Sequence, residues 1–598
     1  MKNLFFLLIT SILISCTSGP ESNHPRIFQD EISQEFHTLL NQYWDDLAPL
    51  APIDATSQGD FRYNDSLPDF ASAEFRNTWK AFSLKYLSAL KKISREKLSS
   101  DDQTSYDMLT YDLNLSLEEE KFASWKIPFH QFWGIPLTIG QLGSGESYQP
   151  FKTFDDYLKW IKRFEGFQQW SKSAIANFKL GIKSGYVLPA TLVIKMIQQM
   201  ENMIQQDYQK SLFYGPVKNI PKNLSKKETE NIALLYKSFI LEKVNPTFQN
   251  LAQFLKQEYL PKARKTSGLS ELPGGKAYYR YLVKSWTTTN LSPEFIYQTG
   301  LKEVTRIKNE MLEIKTKVGF KGDLKSFFDH LRNDPQFMPY KNPQEVLNAF
   351  YKIHETITPQ LSKLFSLKPK TAFEIKQVEA FRAATASAEY QPGTPDGKRP
   401  GIFYIPILDA TKFNITSGME SLFLHEAIPG HHYQISLQQE NNHLPLFRKF
   451  SWYGAYGEGW ALYTESLGKE LGLYTDPYQY MGALGDEMHR ALRLVVDVAI
   501  HLKGMSREKA IKYLMDHEPI SQEGATAEIE RYMAIPGQAL SYKVGSLKIW
   551  ELRKKYEKKL GPKFSIASFH TEILKDGCMP LETLERKLEV WANLMDKN

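Results

Sequence analysis

The chain has 598 residues, with a hydrophobic content of 42% and a charged content of 24% that are ordinary for a soluble globular protein. This length exceeds what one hydrophobic core usually supports, so we expect two subdomains. The net charge of +6 is spread over mixed basic and acidic segments, which gives no reason to expect nucleic acid as a partner. The two cysteines, Cys16 and Cys578, are too few for a disulfide framework.

The N-terminal residues have the pattern of an export signal. Lys2 is followed by an apolar run that is too short to span a membrane, and this run ends in Leu13-Ile14-Ser15-Cys16. That ending resembles the bacterial lipobox, which implies cleavage before Cys16 and attachment of lipid to it. We therefore predict a signal peptide at 1–15 and a flexible tether with a lipidated cysteine at 16–28. An ordinary signal peptide, or a buried cysteine, is the alternative.

Thr17 would be the second residue of the mature protein. A residue other than Asp at this position resembles the pattern of lipoproteins that are sent on to the outer membrane. The prediction is a protein of the bacterial cell envelope, anchored by lipid in the outer membrane and facing the periplasm.

Helical patterning dominates residues 29–372, which we assign to one mainly helical domain. Apolar residues recur at spacings of three and four in Phe75–Ile93, for example. Ser292-Pro293-Glu294 has an N-cap residue, a proline at the first helical position and an acidic first turn, which predicts a helix that runs to about Val318. Residues 121–152 contain several prolines and glycines, so we expect an irregular segment there.

The pattern changes between Phe373 and Pro406. Two short β-like runs, Ala386–Tyr390 and Gly401–Ile405, flank a loop rich in proline and glycine. They predict one small β-sheet directly before a histidine-rich segment. An exposed edge strand there could pair with the backbone of an extended peptide, and a purely structural hairpin is the alternative.

The histidine-rich segment begins with His425 and Glu426, which look like the opening of a zinc-peptidase helix. In such a helix an imidazole binds the metal, and the next carboxylate takes a proton from the water on the metal. The usual motif places a second histidine four residues later, but position 429 is proline and the next histidines are His431 and His432.

A straight α-helix would not let His425 and His431 share an ion, because six residues correspond to a rotation of about 240° and a rise of about 9 Å. Pro429 and Gly430 can break the helix and return His431 to the side of His425. His432 stays on the same face without a break, but it lies about two turns away. We prefer His431 as the second ligand, and His432 remains open.

The best candidate for a third ligand is Glu458, in the segment Tyr456–Glu465. A catalytic zinc site has three protein ligands and one open position for water. Glu458 follows His431 by 27 residues, which fits a helix, a turn and the start of a second helix packed on the first. The prediction is a Zn²⁺ site at His425, His431 and Glu458; the alternative is a kinked helix with surface histidines and an unrelated glutamate.

Two further groups of polar residues follow. Arg493, Asp497 and His501 recur every four residues, so they share one face of a predicted helix over Asp486–Lys503. This face either orients the metal ligands or is an ordinary salt-bridged face. A zinc peptidase also needs a hydrogen-bond donor for the oxyanion. The first candidate is Tyr542 and the second is Tyr532.

Three motifs carry a resemblance to a known family: H-E-A-I-P-G-H-H-Y-Q, E-G-W-A-L-Y-T-E and P-G-Q-A-L-S-Y-K-V-G. They resemble the bacterial family called domain of unknown function 885, and further similarities run along nearly the whole mature chain. That family looks like a distant relative of the helical zinc peptidases of the thimet oligopeptidase, neurolysin and angiotensin-converting-enzyme group. The two additional residues between Glu426 and His431 depart from that wider group.

The resemblance implies a mostly α-helical clamshell with a deep central channel and one small β-sheet next to the metal helix. Residues 29–372 would form one side of the channel, and residues 373–598 would form the catalytic domain. It assigns His425, His431 and Glu458 to zinc and Glu426 to the general base.

The expected activity is zinc-dependent hydrolysis of oligopeptides or small exported proteins, with a peptide as substrate. One alternative is a catalytically inactive lipoprotein of the envelope that binds peptides. Another is a zinc amidase that acts on cell-wall peptides.

Overall fold

The computed structural model describes residues 31–378, 387–394 and 399–597. The predicted signal peptide, the tether with Cys16 and the first residue of the predicted strand Ala386–Tyr390 lie outside these ranges. Within them, no helix combines the length and the apolar character that crossing a membrane requires.

The protein is mostly helical. In chain order the α-helices of the described residues are α1 (Glu31–Leu47), α2 (Pro52–Ser57), α3 (Ala73–Leu90), α4 (Ser100–Glu119), α5 (Ile135–Gly143), α6 (Phe154–Ser184), α7 (Ala190–Asn202), α8 (Gly215–Lys218), α9 (Lys226–Phe239), α10 (Asn245–Phe254), α11 (Gly275–Thr287), α12 (Pro293–Lys317), α13 (Leu324–Asn333), α14 (Pro343–Leu364), α15 (Met419–Glu426), α16 (His431–Glu440), α17 (Leu446–Lys449), α18 (Gly454–Glu465), α19 (Pro477–Lys503), α20 (Arg507–His517), α21 (Gln522–Ala534), α22 (Ser541–Leu560), α23 (Ile566–Leu574) and α24 (Leu581–Lys597). Short 3₁₀ and π-helical turns join several of them.

The capping signals in the sequence correspond to real helix ends. The Ser292 side chain accepts a hydrogen bond from the Phe295 N–H at the start of α12, which confirms the predicted N-cap. The prediction for α19 was too short, because that helix begins at Pro477, well before Asp486. Asp476 caps it by accepting the Tyr478 N–H.

The segment 121–152 is more regular than predicted, because it contains α5 over Ile135–Gly143. Pro136 lies in the first turn of this helix. The missing N–H of proline costs nothing at that position, since the first amides of a helix have no partner within it. The expectation of an irregular segment was therefore wrong for residues 135–143.

One small sheet precedes the histidine-rich segment, as predicted. Its strands are β1 (Phe373–Gln377), β2 (Glu389–Gln391) and β3 (Gly401–Ile405), in the order β1-β3-β2. β3 pairs in parallel with β1 and antiparallel with β2, so β2 forms an edge of the described sheet. β1 was not predicted from the sequence.

Two large apolar cores hold the helices together, and both combine distant parts of the chain. One core includes Tyr86 and Phe569, and the other includes Trp160 and Ile529. Both therefore draw residues from before and after residue 372. The division of the chain at residue 372 stays a prediction.

Candidate metal centre

A break between α15 and α16 shapes the candidate site. α15 ends at Glu426 and α16 begins at His431, so the helix is interrupted at the Pro429–Gly430 pair as the sequence predicts. A Cβ atom on Gly430 would lie 1.9 Å from the carbonyl oxygen of His425, so the close approach of the backbone requires glycine. The Trp460 indole N–H donates to the Pro429 carbonyl at 2.9 Å and ties this turn to α18.

The break brings His425 and His431 together, and α18 supplies Glu458 beside them. Glu458 Oε2 lies 3.5 Å from the Nε2 atom of each histidine. One ligand atom from each of the three residues can be chosen so that all lie within 4.8 Å of one another. Within the described ranges this is the one group of three or more such side chains with that geometry.

The two separations of 3.5 Å fit a zinc ion. Zinc binds histidine nitrogen and carboxylate oxygen at about 2.0–2.2 Å, which places neighbouring ligand atoms of a tetrahedral site about 3.3–3.6 Å apart. Burial acts to raise the pKa of Glu458, but hydrogen bonds from His425 and His431 hold that pKa well below its usual range. The carboxyl group is therefore ionised and available to a cation.

Glu465 fixes the orientation of His425, a role that was not predicted from the sequence. The two side chains are buried, and His425 Nδ1 donates to Glu465 Oε1 at 2.7 Å, which leaves Nε2 facing the cluster. A carboxylate behind a ligating histidine is a common support of metal sites. The available signal was the spacing of seven residues from Glu458, which places both glutamates on one side of α18.

The carboxylates around His425 change its protonation. Burial acts to lower the pKa of His425, but hydrogen bonds to Glu458 and Glu465 raise it to about 10. The imidazole is therefore protonated at neutral pH, and a bound zinc ion would take the place of that proton.

Glu426 lies at the end of α15, where its carboxylate accepts the N–H of Tyr390 from β2 at 2.9 Å. Burial raises the pKa of Glu426, which the nearby imidazoles of His425 and His431 partly offset. A carboxylate with a raised pKa is better suited to accept a proton near neutral pH. The small sheet thus holds the predicted base in place.

His432 points away from the cluster, toward the sheet. Its Nδ1 atom lies 3.0 Å from the Tyr390 hydroxyl, and its ring packs on Phe373 at 4.9 Å between centroids. Burial lowers the pKa of His432 to about 4. The structure therefore places His431, and not His432, beside His425 and Glu458.

The two candidate tyrosines have different surroundings. The buried Tyr532 hydroxyl donates to Glu528 at 2.6 Å and accepts from Arg493 Nε at 3.0 Å. Tyr542 is only half-buried, and its hydroxyl accepts from Arg531 at 3.4 Å. The Tyr532 hydroxyl thus bonds to both partners of the partly buried Arg493–Glu528 ion pair, and Tyr542 remains the first candidate for the oxyanion donor.

The predicted polar face of α19 joins helices. Arg493 pairs with Glu528 of α21, and the His501 ring lies 3.0 Å from the Tyr532 carbonyl oxygen. Asp497 accepts the Tyr279 hydroxyl at 2.5 Å and the Gly537 N–H at 3.1 Å. α19 approaches the candidate site through a different residue. Arg490 of this helix lies 3.9 Å from Glu465, the carboxylate behind His425.

The structure also contains a cavity of about 920 Å³, and its lining includes none of the candidate metal ligands. Its aromatic walls include Trp79, Trp125, Trp133, Tyr148, Tyr278 and Trp286. One of these residues, Trp286, lies 3.9 Å from the place that a Cβ atom on Gly454 of α18 would take, and Ser541 lies nearer, at 3.4 Å. Gly454 is one helical turn before Glu458. One wall residue of the cavity therefore packs near the start of the helix that carries the third candidate ligand.

Fold and site together define a mostly helical protein with two histidines and one glutamate gathered at a helix break. The model of a family of bacterial proteins of unknown function, DUF885, matches residues 52–588, and the chain belongs to that family.

The chain is similar in structure to "the putative lipoprotein from Colwellia psychrerythraea", with a TM-score of 0.86 and 27% identity over 94% of this chain and 99% of that one. It also shares its fold with "a putative lipoprotein of unknown function from Shewanella oneidensis", with a TM-score of 0.75 and 20% identity over 92% of this chain and 99% of that one. No curated protein sequence matches the chain.

Proposed function

We propose that this protein is a zinc-dependent peptidase of the bacterial cell envelope, with Zn²⁺ held by His425, His431 and Glu458. The observation that carries the proposal is the meeting of these three side chains at the helix break, with Glu426 directly beside them. The carboxylate of Glu465 behind His425 supports it, because such a partner is typical of zinc-binding histidines.

Each residue has a distinct role in the proposed reaction. Zinc, when bound, would supply Lewis-acid activation of a water molecule and of the peptide carbonyl. Glu426 takes a proton from the attacking water and passes it to the leaving amine. Tyr542 donates a hydrogen bond to the oxyanion, and Glu465 keeps His425 Nε2 turned toward the cluster.

The substrate of this reaction is an oligopeptide or a small exported protein. A channel between the two sides of a helical clamshell, as in the peptidases that the family resembles, would admit an extended chain and exclude large folded proteins. The cavity of about 920 Å³ has aromatic walls of the kind that bind peptide side chains, and its wall residue Trp286 packs near the start of α18. The edge strand β2 carries the N–H donor to Glu426 and offers a backbone for pairing.

The proposed location is the periplasmic face of the outer membrane, with Cys16 lipidated. The lipobox pattern at Leu13–Cys16 supports it. The similar protein of Colwellia psychrerythraea is also described as a lipoprotein. A lipid anchor would keep the enzyme among exported peptides.

The test compares wild-type protein with Glu426→Gln. We expect both to bind one zinc ion per chain by elemental analysis. The variant should cleave a library of internally quenched peptides about 10²–10⁴-fold more slowly, since it lacks the proton acceptor. Glu313→Gln, at an exposed glutamate of α12, is the matched control and should behave as wild type.

Wild-type activity should disappear with a chelator and return with zinc. Undiminished turnover by zinc-loaded Glu426→Gln would reject the role of the base. A zinc-loaded wild-type protein that binds peptides but cleaves none would favour the non-catalytic binding lipoprotein. Hydrolysis confined to cell-wall peptides would favour the zinc amidase.

A further inference from the structure

Trp452 lies beside the candidate metal centre with a large part of its surface uncovered. Its ring centroid is 5.8 Å from that of His431, at an angle of 54°. The residue is 46% exposed, whereas His431 is 9% exposed. A tryptophan at this distance from a candidate ligand forms part of the wall around the centre.

The chain holds this ring in a defined place. A Cβ atom on Gly457 would lie 2.2 Å from the Trp452 ring, so the indole rests directly on the backbone of α18. Gly457 immediately precedes Glu458, which ties the position of the ring to that of a candidate ligand.

The neighbours of Trp452 in the chain are also fixed. The Tyr453 N–H donates to the Cys578 sulfur at 3.1 Å. The Ser451 carbonyl accepts from the Gln438 side chain at 3.0 Å. Hydrogen bonds therefore hold the backbone on both sides of Trp452, which fixes the position of its exposed ring.

An exposed indole face favours contact with another apolar group, since removing apolar surface from water is favourable. A lysine or arginine can also stack on an indole, but here it would approach the divalent cation of the proposed site. A large apolar side chain packs on the ring without that repulsion.

We infer that Trp452 is a specificity-determining residue that binds a large apolar side chain, aromatic or branched aliphatic, of the peptide residue next to the cleaved bond. This inference rests on the proposed function. It makes the protein a peptidase that selects for apolar residues at its cleavage site. Loss of the indole should therefore change selectivity and leave metal binding intact.

The experiment uses internally quenched peptides that carry Phe, Leu, Ala or Lys at each position flanking the cleaved bond. For the wild type, we expect kcat/KM for the Phe and Leu peptides to exceed that for the Ala and Lys peptides at one position. Trp452→Ala should reduce this preference by about tenfold or more, with little change for the Ala peptide. Trp452→Phe should recover most of the preference.

Zinc content and melting temperature check that each variant is folded and loaded. Phe295→Ala, at a 57% exposed aromatic residue in the first turn of α12, is the control and should keep the wild-type preference. An unchanged ratio of Phe to Ala cleavage in folded, zinc-loaded Trp452→Ala would overturn the inference and leave the proposed function standing.

A wild-type protein that cleaves no peptide would overturn the proposed function instead. Binding then decides the role of Trp452, with fluorescently labelled Phe and Ala peptides titrated into wild type and Trp452→Ala. Tighter binding of the Phe peptide that depends on the indole would support selection by Trp452. Equal binding of both peptides, or none, would overturn it.

Discussion

Glu465 determines which nitrogen of His425 is available to a metal. Replacing it by glutamine removes the charge that supports the imidazole and allows the ring to turn. We expect Glu465→Gln to weaken zinc binding about 10–100-fold, as measured by competition with a chromogenic chelator. Glu470→Gln, at an exposed glutamate shortly after α18, should leave the affinity unchanged. An unchanged zinc affinity in Glu465→Gln would show that Glu465 does not support metal binding by His425.

The two tyrosines should respond differently to loss of the hydroxyl. Tyr542→Phe should lower kcat by about 10²–10³-fold with little change in KM, because the proposed hydrogen bond forms only as charge develops. Tyr532→Phe should lower the free energy of unfolding by about 1–3 kcal/mol, because it removes a hydrogen bond from each partner of a partly buried ion pair. Steady-state kinetics and urea unfolding of both variants would distinguish the roles. A loss of kcat in Tyr532→Phe, with a loss of stability in Tyr542→Phe, would make Tyr532 the oxyanion donor.

Individual residues were predictable where their chemistry is distinctive. His425, His431 and Glu458 stand out because clustered histidines and a spaced glutamate are uncommon, and the structure brings these three together. Their binding of zinc stays a prediction. Glu465 could not be singled out, because its role depends on the ring orientation of a residue 40 positions earlier in the chain.

At the scale of elements, the break between α15 and α16 depends on Gly430. Alanine at this position would place a methyl group against the His425 carbonyl oxygen and force the two helices apart. We expect Gly430→Ala to destabilise the fold by about 1–3 kcal/mol and to weaken zinc binding. The checks are urea unfolding and zinc stoichiometry.

Gly485→Ala in α19 is the matched control, since its Cβ would meet open space. Alanine favours a helix over glycine, so this variant should be as stable as wild type or slightly more stable. Zinc binding by Gly430→Ala at wild-type affinity would show that the helix break does not place His431.

Elements were predicted well where local signals are strong. The caps of α12 and the strand β3 follow directly from the sequence. β1 was missed because it is five residues long, with charged residues at Glu374 and Lys376, and its strand character comes from parallel pairing with β3. That pairing joins residues that are far apart in the chain, which local patterns do not report.

At the scale of the whole molecule, Asp497 should contribute to the pH dependence of stability. Burial raises its pKa to about 7, and hydrogen bonds from Tyr279 and Gly537 offset only part of that effect. Its pKa in the unfolded chain is about 3.9, so the folded state binds more protons between about pH 4 and 7. This contribution to stability is fully present below about pH 4 and is lost as the pH rises through about 7.

Asp497→Asn cannot titrate, so its unfolding free energy should fall less than that of wild type as the pH rises from 4 to 7.5. Over this pH range the unfolding free energy of wild type should fall by a few kcal/mol more than that of Asp497→Asn, at roughly 1.4 kcal/mol per unit of pKa shift. Urea unfolding at a series of pH values measures it. Parallel curves for the two proteins would show that Asp497 does not bind a proton in the folded state.

The arrangement of the two cores could not be predicted from the sequence. Periodic apolar patterns predict which helix faces are buried, and this gave the mostly α-helical class correctly. They do not predict which faces meet, and here Trp160 and Ile529 share a core although much of the chain separates them. Such distant pairings depend on packing of the complete molecule.

α19 is common to both cores, with Leu494 and Val498 in one and Val495 and Ile500 in the other. A hinge motion that pulled the cores apart would uncover one side of this helix, at about 1.5–3 kcal/mol for each large apolar side chain. Packing on both sides of α19 therefore opposes separation of the two cores. Motions that leave both faces of the helix covered cost less apolar burial than a hinge between the cores.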